Sequence, residues 1–145
     1  MNTLCGRAYY GNVGGHIFVN GQEETINRCI DVVGFVPQDD IVFAELTVRE
    51  NLVYAGKFML PKGTPTEDIE DLADDVIADL GLNRVADNMV GDVTRRGISG
   101  GEKKRVNIGL ELMKRPSILF LDEPTSGESY YLYFRVVELF LILHS

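Results

Sequence analysis

The apolar run Ser117-Ile118-Leu119-Phe120-Leu121 ends abruptly on two acids, Asp122 and Glu123, followed by Pro124 and Thr125. A continuous apolar run of this length reads as a strand buried on both faces, as in a parallel sheet. It follows directly on a helix signal that opens at Ser99 and is stopped by Pro116. Helix followed by buried strand is the grammar of an α/β fold. In open α/β sheets, ligands sit beyond the carboxyl ends of the strands. Adjacent carboxylates there suit a metal site, because Mg²⁺ takes few protein carboxylates and keeps several waters. One of the two can also orient or deprotonate an attacking water. The strand and acids taken alone are equally well read as a strand running out into solvent.

Upstream, the chain alternates between short strand signals and capped helices. His16 to Val19 reads as a strand closed by the turn pair Asn20-Gly21, and Ile30 to Val36 as a second strand ended by Pro37. Together with Ile118 to Leu121 these segments are expected to form sheet. Asn2 to Tyr10 reads as the tail of a helix. One helix should start at Thr47, with Glu50 completing a capping box, and stop near Pro61. A second should have Thr64 as its N-cap, Pro65 at the first helical position, Glu67 closing the box and Gly81 at its C-terminal end. Its apolar residues Ile69, Leu72, Ala73, Val76, Ile77 and Leu80 recur at three and four, which makes one buried stripe. The acids from Glu67 to Asp79 then form a solvated face. A third helix should start at Ser99, with Glu102 closing its box and Val106, Gly109, Leu110 and Met113 facing inward. The apolar tail Tyr130 to Leu143 is expected to be helical.

Ile98-Ser99-Gly100-Gly101-Glu102 is the second chemical feature. A serine cap and two glycines at a helix start allow an anion to approach free N–H groups at the positive end of the helix dipole. The plain alternative is a capping box with a tight turn. Lys103-Lys104-Arg105 reads as a solvated face. Gln38, in Val36-Pro37-Gln38-Asp39-Asp40, follows a buried strand and can reach a metal or its water, although a loop polar residue is the simpler reading.

The net charge of −8 over 145 residues argues against non-specific contact with nucleic acid or an anionic membrane surface. Cys5 and Cys29 lack metal-ligand spacing and fit two lone thiols. No apolar stretch reaches the roughly 18 to 20 residues that span a bilayer, and no signal peptide opens the chain.

Taken in order, strand-Gln, helical segment, Ser-Gly-Gly at a helix start and apolar strand ending Asp-Glu resemble the ATP-binding cassette (ABC) family. The wording is similar to the G subfamily, the White-type half-transporters, in Gly34 to Asp40, Leu46 to Leu52, Arg96 to Gly101 and Asp122 to Gly127. The resemblance covers roughly Asn2 to Gly127. It implies a P-loop NTPase-like α/β cassette over 1–127 with a mostly helical insert at about 47–95, and a divergent tail at 128–145. It implies ATP and Mg²⁺ as cofactors, with Asp122 and Gln38 on the metal side and Glu123 as the catalytic carboxylate. Ser99, Gly100, Gly101 and Glu102 would be signature residues contacting nucleotide. It also implies a second cassette and a transmembrane domain as partners, no nucleic acid, and a place on the cytoplasmic side of a membrane. The work of the whole would be ATP hydrolysis coupled to transport of a lipid or hydrophobic solute.

Three departures qualify this. The phosphate-binding pattern G-x-x-x-x-G-K-[ST] does not occur in the sequence: Gly56-Lys57 is followed by Phe58, and Asn51 stands where the first glycine belongs. Ser126-Gly127 continues into Glu128-Ser129-Tyr130, whereas the family continues into Leu-Asp, and His144 lies outside the context of the family's switch histidine. The expectation is an N-terminally truncated cassette that keeps the half closing over a partner's ATP, with Met1 internal to a longer ancestor, or the chain a fragment or a short gene model. A non-catalytic module that pairs with an intact cassette is the alternative. A soluble cassette ATPase of the translation or repair type fits less well, because its text around Gln38 differs.

Overall fold

The computed structural model describes residues 14–16, 18–19, 21–23 and 33–121. The readings at Asn2 to Tyr10, Cys5, Cys29, Ile30 to Val32, Asp122, Glu123 and the tail from Tyr130 therefore lie outside the described residues.

In chain order the elements are β1 (Phe18–Val19), β2 (Gln22–Glu23), β3 (Val33–Val36), α1 (Val48–Met59), α2 (Thr66–Asp79), a 3₁₀ turn (Asn83–Val85), α3 (Gly100–Leu112) and β4 (Ile118–Leu121). The strands do not share one sheet. β1 and β2 pair antiparallel as a hairpin, and β3 pairs with β4 in parallel, in the register Val33 with Ile118 through Val36 with Leu121.

Helix α1 begins as its sequence dictates. The Thr47 hydroxyl accepts the Glu50 N–H at 3.1 Å, and the Glu50 carboxylate accepts the Thr47 N–H at 2.8 Å. The next free donors of the first turn, Val48 N–H and Arg49 N–H, are taken by the carbonyls of Asn88 and Ala86. The 86–91 segment therefore runs back along 44–49, with Val90 N–H on Leu46 O and Gly91 N–H on Ala44 O.

Helix α2 starts one residue later than the sequence suggests. Pro65 occupies the N-cap position with ψ 145°, and no side chain caps the helix. The Thr64 hydroxyl turns back instead, donating to Pro61 O at 2.8 Å. A residue preceding proline is disfavoured in helical conformation, and here the proline itself stays extended. At the other end Leu80 is the C-cap, and Gly81 follows with φ +65°. The apolar stripe is buried and the acidic face exposed, as the spacing requires.

The core lies among α1, α2 and α3, around Leu52, Ala73, Ile77, Val106 and Met113. From Val106 to Leu112 every residue of α3 is buried. Val36, Leu119 and Leu121 join the sheet to this core. β4 is parallel to β3 as expected, but it is not buried on both faces: Ile118 is 37% exposed and Leu119 to Leu121 are half-buried. Among the described residues β3 is the one strand beside it.

Candidate nucleotide-facing site

The best-formed candidate site is the start of α3. Ser99 has extended backbone and caps the helix. Its hydroxyl accepts the Glu102 N–H at 3.3 Å and donates to the Glu102 carboxylate at 2.7 Å, while the Ser99 N–H donates to the same oxygen at 2.7 Å. The Ser99 hydroxyl bond, followed by the Ser99 N–H, holds the Glu102 carboxyl below the ordinary glutamate value. Gly100 and Gly101 form the first turn, where N–H groups have no intrahelical acceptor. Both are exposed. A Cβ built at Gly100 would meet nothing within 4 Å. The fold itself therefore places no demand for glycine there, and the backbone is open to a group approaching from outside.

The loop leading to Ser99 is tightly made. Asp92 accepts from Thr94 Oγ1 at 2.6 Å, Thr94 N–H at 2.7 Å and Arg95 N–H at 2.9 Å. These bonds, the Thr94 hydroxyl foremost, hold the Asp92 carboxyl below its ordinary value. Lys103 closes the loop by donating to Gly91 O at 3.2 Å. Gly97 packs against the Val90 carbonyl so closely that a Cβ would stand 2.1 Å from that oxygen.

Gln38 is exposed, two residues beyond the end of β3. Its loop is held from α3. Lys104 Nζ donates to the carbonyls of Pro37 and Gln38, each at 2.9 Å, and lies 3.9 Å from the Asp40 carboxylate. Asn107 accepts the Ile41 N–H at 3.3 Å and donates to Asp39 O at 3.4 Å. Glu111, 3% exposed, accepts the Phe35 N–H at 3.2 Å. From α1, buried Asn51 accepts the Phe43 N–H at 2.9 Å and donates to Phe43 O and Thr47 O.

The basic run Lys103-Lys104-Arg105 is thus not a solvated face. All three residues are half-buried, and two of the ammonium groups fasten loops. The sequence reading also passed over Asn107 and Glu111. Their spacing from Lys104, three and seven positions, was the available signal: a polar stripe in a helix that is otherwise buried toward its C-terminus.

Gly56-Lys57 lies within α1, with Gly56 buried, and so forms no phosphate loop. Asp122 and Glu123 lie outside the described residues. Among the described residues no group of His, Cys, Asp and Glu side chains is arranged to hold a metal ion, and no helix is long and apolar enough to cross a membrane.

Comparison with known proteins decides the family, since the ABC transporter model matches residues 1–126. The chain belongs to the ABC transporter family. Similar curated proteins include G-type members. ABC transporter G family member 28 of Arabidopsis thaliana is 48% identical over 127 residues, covering 88% of this chain and 12% of that protein. The broad substrate specificity ATP-binding cassette transporter ABCG2 of Rattus norvegicus is 44% identical over 128 residues, covering 88% and 19%. This ABC family chain therefore spans less than a fifth of the length of either relative. Among solved structures, cbiO1 of Clostridium perfringens, described as part of the ABC transporter complex cbiONQ, superposes with a TM-score of 0.75 at 22% identity. The match covers 98% of this chain and 57% of that one. That likeness is one of fold.

Proposed function

We propose that these residues are the part of a G-type ABC cassette that closes over ATP held by a second cassette, within a transporter that moves a lipid or hydrophobic solute. The observation carrying this reading is the open start of α3. Gly100 is a glycine that its own fold does not require, placed on exposed N–H groups behind a serine cap. A helix start of this kind suits the terminal phosphate of a nucleotide presented from outside.

Ser99, Gly100 and Gly101 would meet that phosphate, and Glu102 would keep the serine in place. Mg²⁺, when bound, would neutralise phosphate charge. Asp122 and Gln38 would be on its side and Glu123 would orient the attacking water. The parallel register supports this grouping, because Val36 and Leu121 are paired and the chain passes to Gln38 and to Asp122 from that same end. The cassette would work on the cytoplasmic side of a membrane beside a transmembrane domain. The helical segments α1 and α2 would belong to an insert of about 47–95 in a cassette spanning 1–127, with 128–145 a divergent tail.

The 145 residues alone should not hydrolyse ATP. Phosphoryl transfer depends on positioned donors around the phosphates, and no G-x-x-x-x-G-K-[ST] segment supplies them. Removing one such donor typically costs about 10²- to 10³-fold in rate, and here a whole loop of donors is lacking. The test is an ATPase assay on the chain beside a version given a G-type phosphate loop and a Leu-Asp continuation after Gly127. Turnover by the unmodified chain that is abolished by Glu123→Gln would overturn the proposal. Activity confined to the restored version would support it.

A further inference from the structure

Gln38 and Ser99 lie on different elements, yet the backbone between β3 and α1 is fastened along one face of α3. Lys104, Asn107 and Glu111 sit at spacings of three and four, so they share a helix face. Their bonds fall within one stretch of chain, Phe35 to Ile41. Glu111 takes Phe35 N–H, Lys104 takes Pro37 O and Gln38 O, and Asn107 takes Asp39 O and Ile41 N–H. These are side chain–backbone bonds between segments 66 to 76 residues apart in sequence. Such a set does not arise from local turn chemistry.

The burial of these groups argues for a purpose beyond filling space. Asn107 and Glu111 are 1% and 3% exposed, in a helix whose neighbouring positions are Val106, Ile108, Leu110 and Leu112. Buried polar side chains are costly unless bonded, and apolar residues of similar volume would often serve stability as well or better. What apolar residues cannot do is fix the backbone register of a loop. The Lys104 ammonium donates to the carbonyls on either side of the Gln38 Cα, so it sets where the Gln38 side chain begins.

Building on the functional reading above, we infer that Lys104, Asn107 and Glu111 are positioning residues. They lock the Gln38 loop to the helix that starts at Ser99, so that the glutamine and the nucleotide-facing turn shift as one body. Gln38 would then take its place relative to metal and phosphate only as α3 takes its own. The three side chains need not touch nucleotide; they act through the backbone they hold.

Amide hydrogen exchange and ¹⁵N relaxation on the 145-residue chain test this. In Asn107→Leu, exchange at Ile41 should rise about 10-fold, the scale of one lost hydrogen bond of ordinary strength. Exchange at Leu52, Ile77 and Val106 should stay within about twofold. In Lys104→Met, whose side chain is partly exposed, residues 38–40 should gain fast motion that α3 lacks, and Lys104→Arg should restore the wild-type profile. Unchanged Ile41 exchange in Asn107→Leu would overturn the inference. So would a loss of protection spread equally over α3. Should Asn107→Leu fail to fold, the Lys104 pair decides: motion at 38–40 that is the same with methionine as with arginine overturns it. These readouts need no nucleotide, so failure of the clamp and failure of the ATP reading are separate results.

Discussion

Replacing Gly100 by alanine separates the needs of this fold from the needs of a ligand. In most tight sites a new methyl group meets neighbours, and the variant loses stability and function together. Here the added Cβ would have no heavy atom within 4 Å beyond its own chain neighbours and helix backbone, so no packing penalty arises. Gly100 is the first residue of α3 and has no positive φ, so alanine is accommodated without backbone strain. Glycine in a helix interior costs roughly 0.5–1 kcal/mol relative to alanine. The effect at a first-turn position should be smaller, on the order of a few tenths of a kcal/mol in favour of alanine. Urea unfolding should therefore show Gly100→Ala at least as stable as the parent. On the proposed function, contact with ATP held by an intact G-type cassette should fall by about 10-fold or more, because the methyl group would stand where a phosphate would approach the backbone. A loss of stability above about 1 kcal/mol would refute the reasoning, since it would mean that the fold itself needs the glycine. Unimpaired nucleotide contact would refute it from the other side.

Gly97→Ala should behave in the opposite way. Its Cβ would stand 2.1 Å from the Val90 carbonyl oxygen, so urea unfolding should show a loss of about 1–3 kcal/mol or more. Asn51→Ala removes an acceptor for Phe43 N–H and donors to Phe43 O and Thr47 O, and should cost about 2–4 kcal/mol in the same assay. Asn51→Asp should be no milder, because it turns a carboxylate oxygen toward two carbonyls. The Glu102 carboxyl is held below its ordinary value in the fold, so the stability it contributes is full above the unfolded value and is lost as pH falls through the folded one. Amide protection at Ser99 should drop on acidification below the ordinary glutamate value, and Glu102→Gln should abolish that step.

The parts of this fold that were legible in sequence are those settled within a few residues. Thr47 with Glu50 and Ser99 with Glu102 are reciprocal caps whose partners lie three positions apart, and both form as read. The stripe from Ile69 to Leu80 specifies its own buried face by spacing alone. Thr64 shows where such local reasoning fails. A Thr-Pro-x-Glu string looks like a capping box, but the hydroxyl found the Pro61 carbonyl first and Pro65 stayed extended. The exposure of β4 could not be read from its apolar text, because it depends on which strands stand beside it. The role of Lys104, Asn107 and Glu111 was equally hidden, since their partners come from the far side of the 44–91 segment. Of the candidate site, the sequence offered Gln38 and Ser99 and the order in which they occur. That α3 holds the loop of the first and begins at the second is a tertiary fact.

On the proposed function, the start of α3 meets ATP held by another cassette. The most direct test is photo-crosslinking with azido-ATP, using this chain mixed with an intact G-type cassette whose catalytic glutamate is substituted so that nucleotide stays bound. Label is expected on the segment Gly97 to Lys103 of this chain when the partner is present, none when it is absent, and a sharp loss with Gly100→Ala. Label on the chain alone at the same level, or no label on this segment while the two chains co-elute with bound ATP, would contradict it.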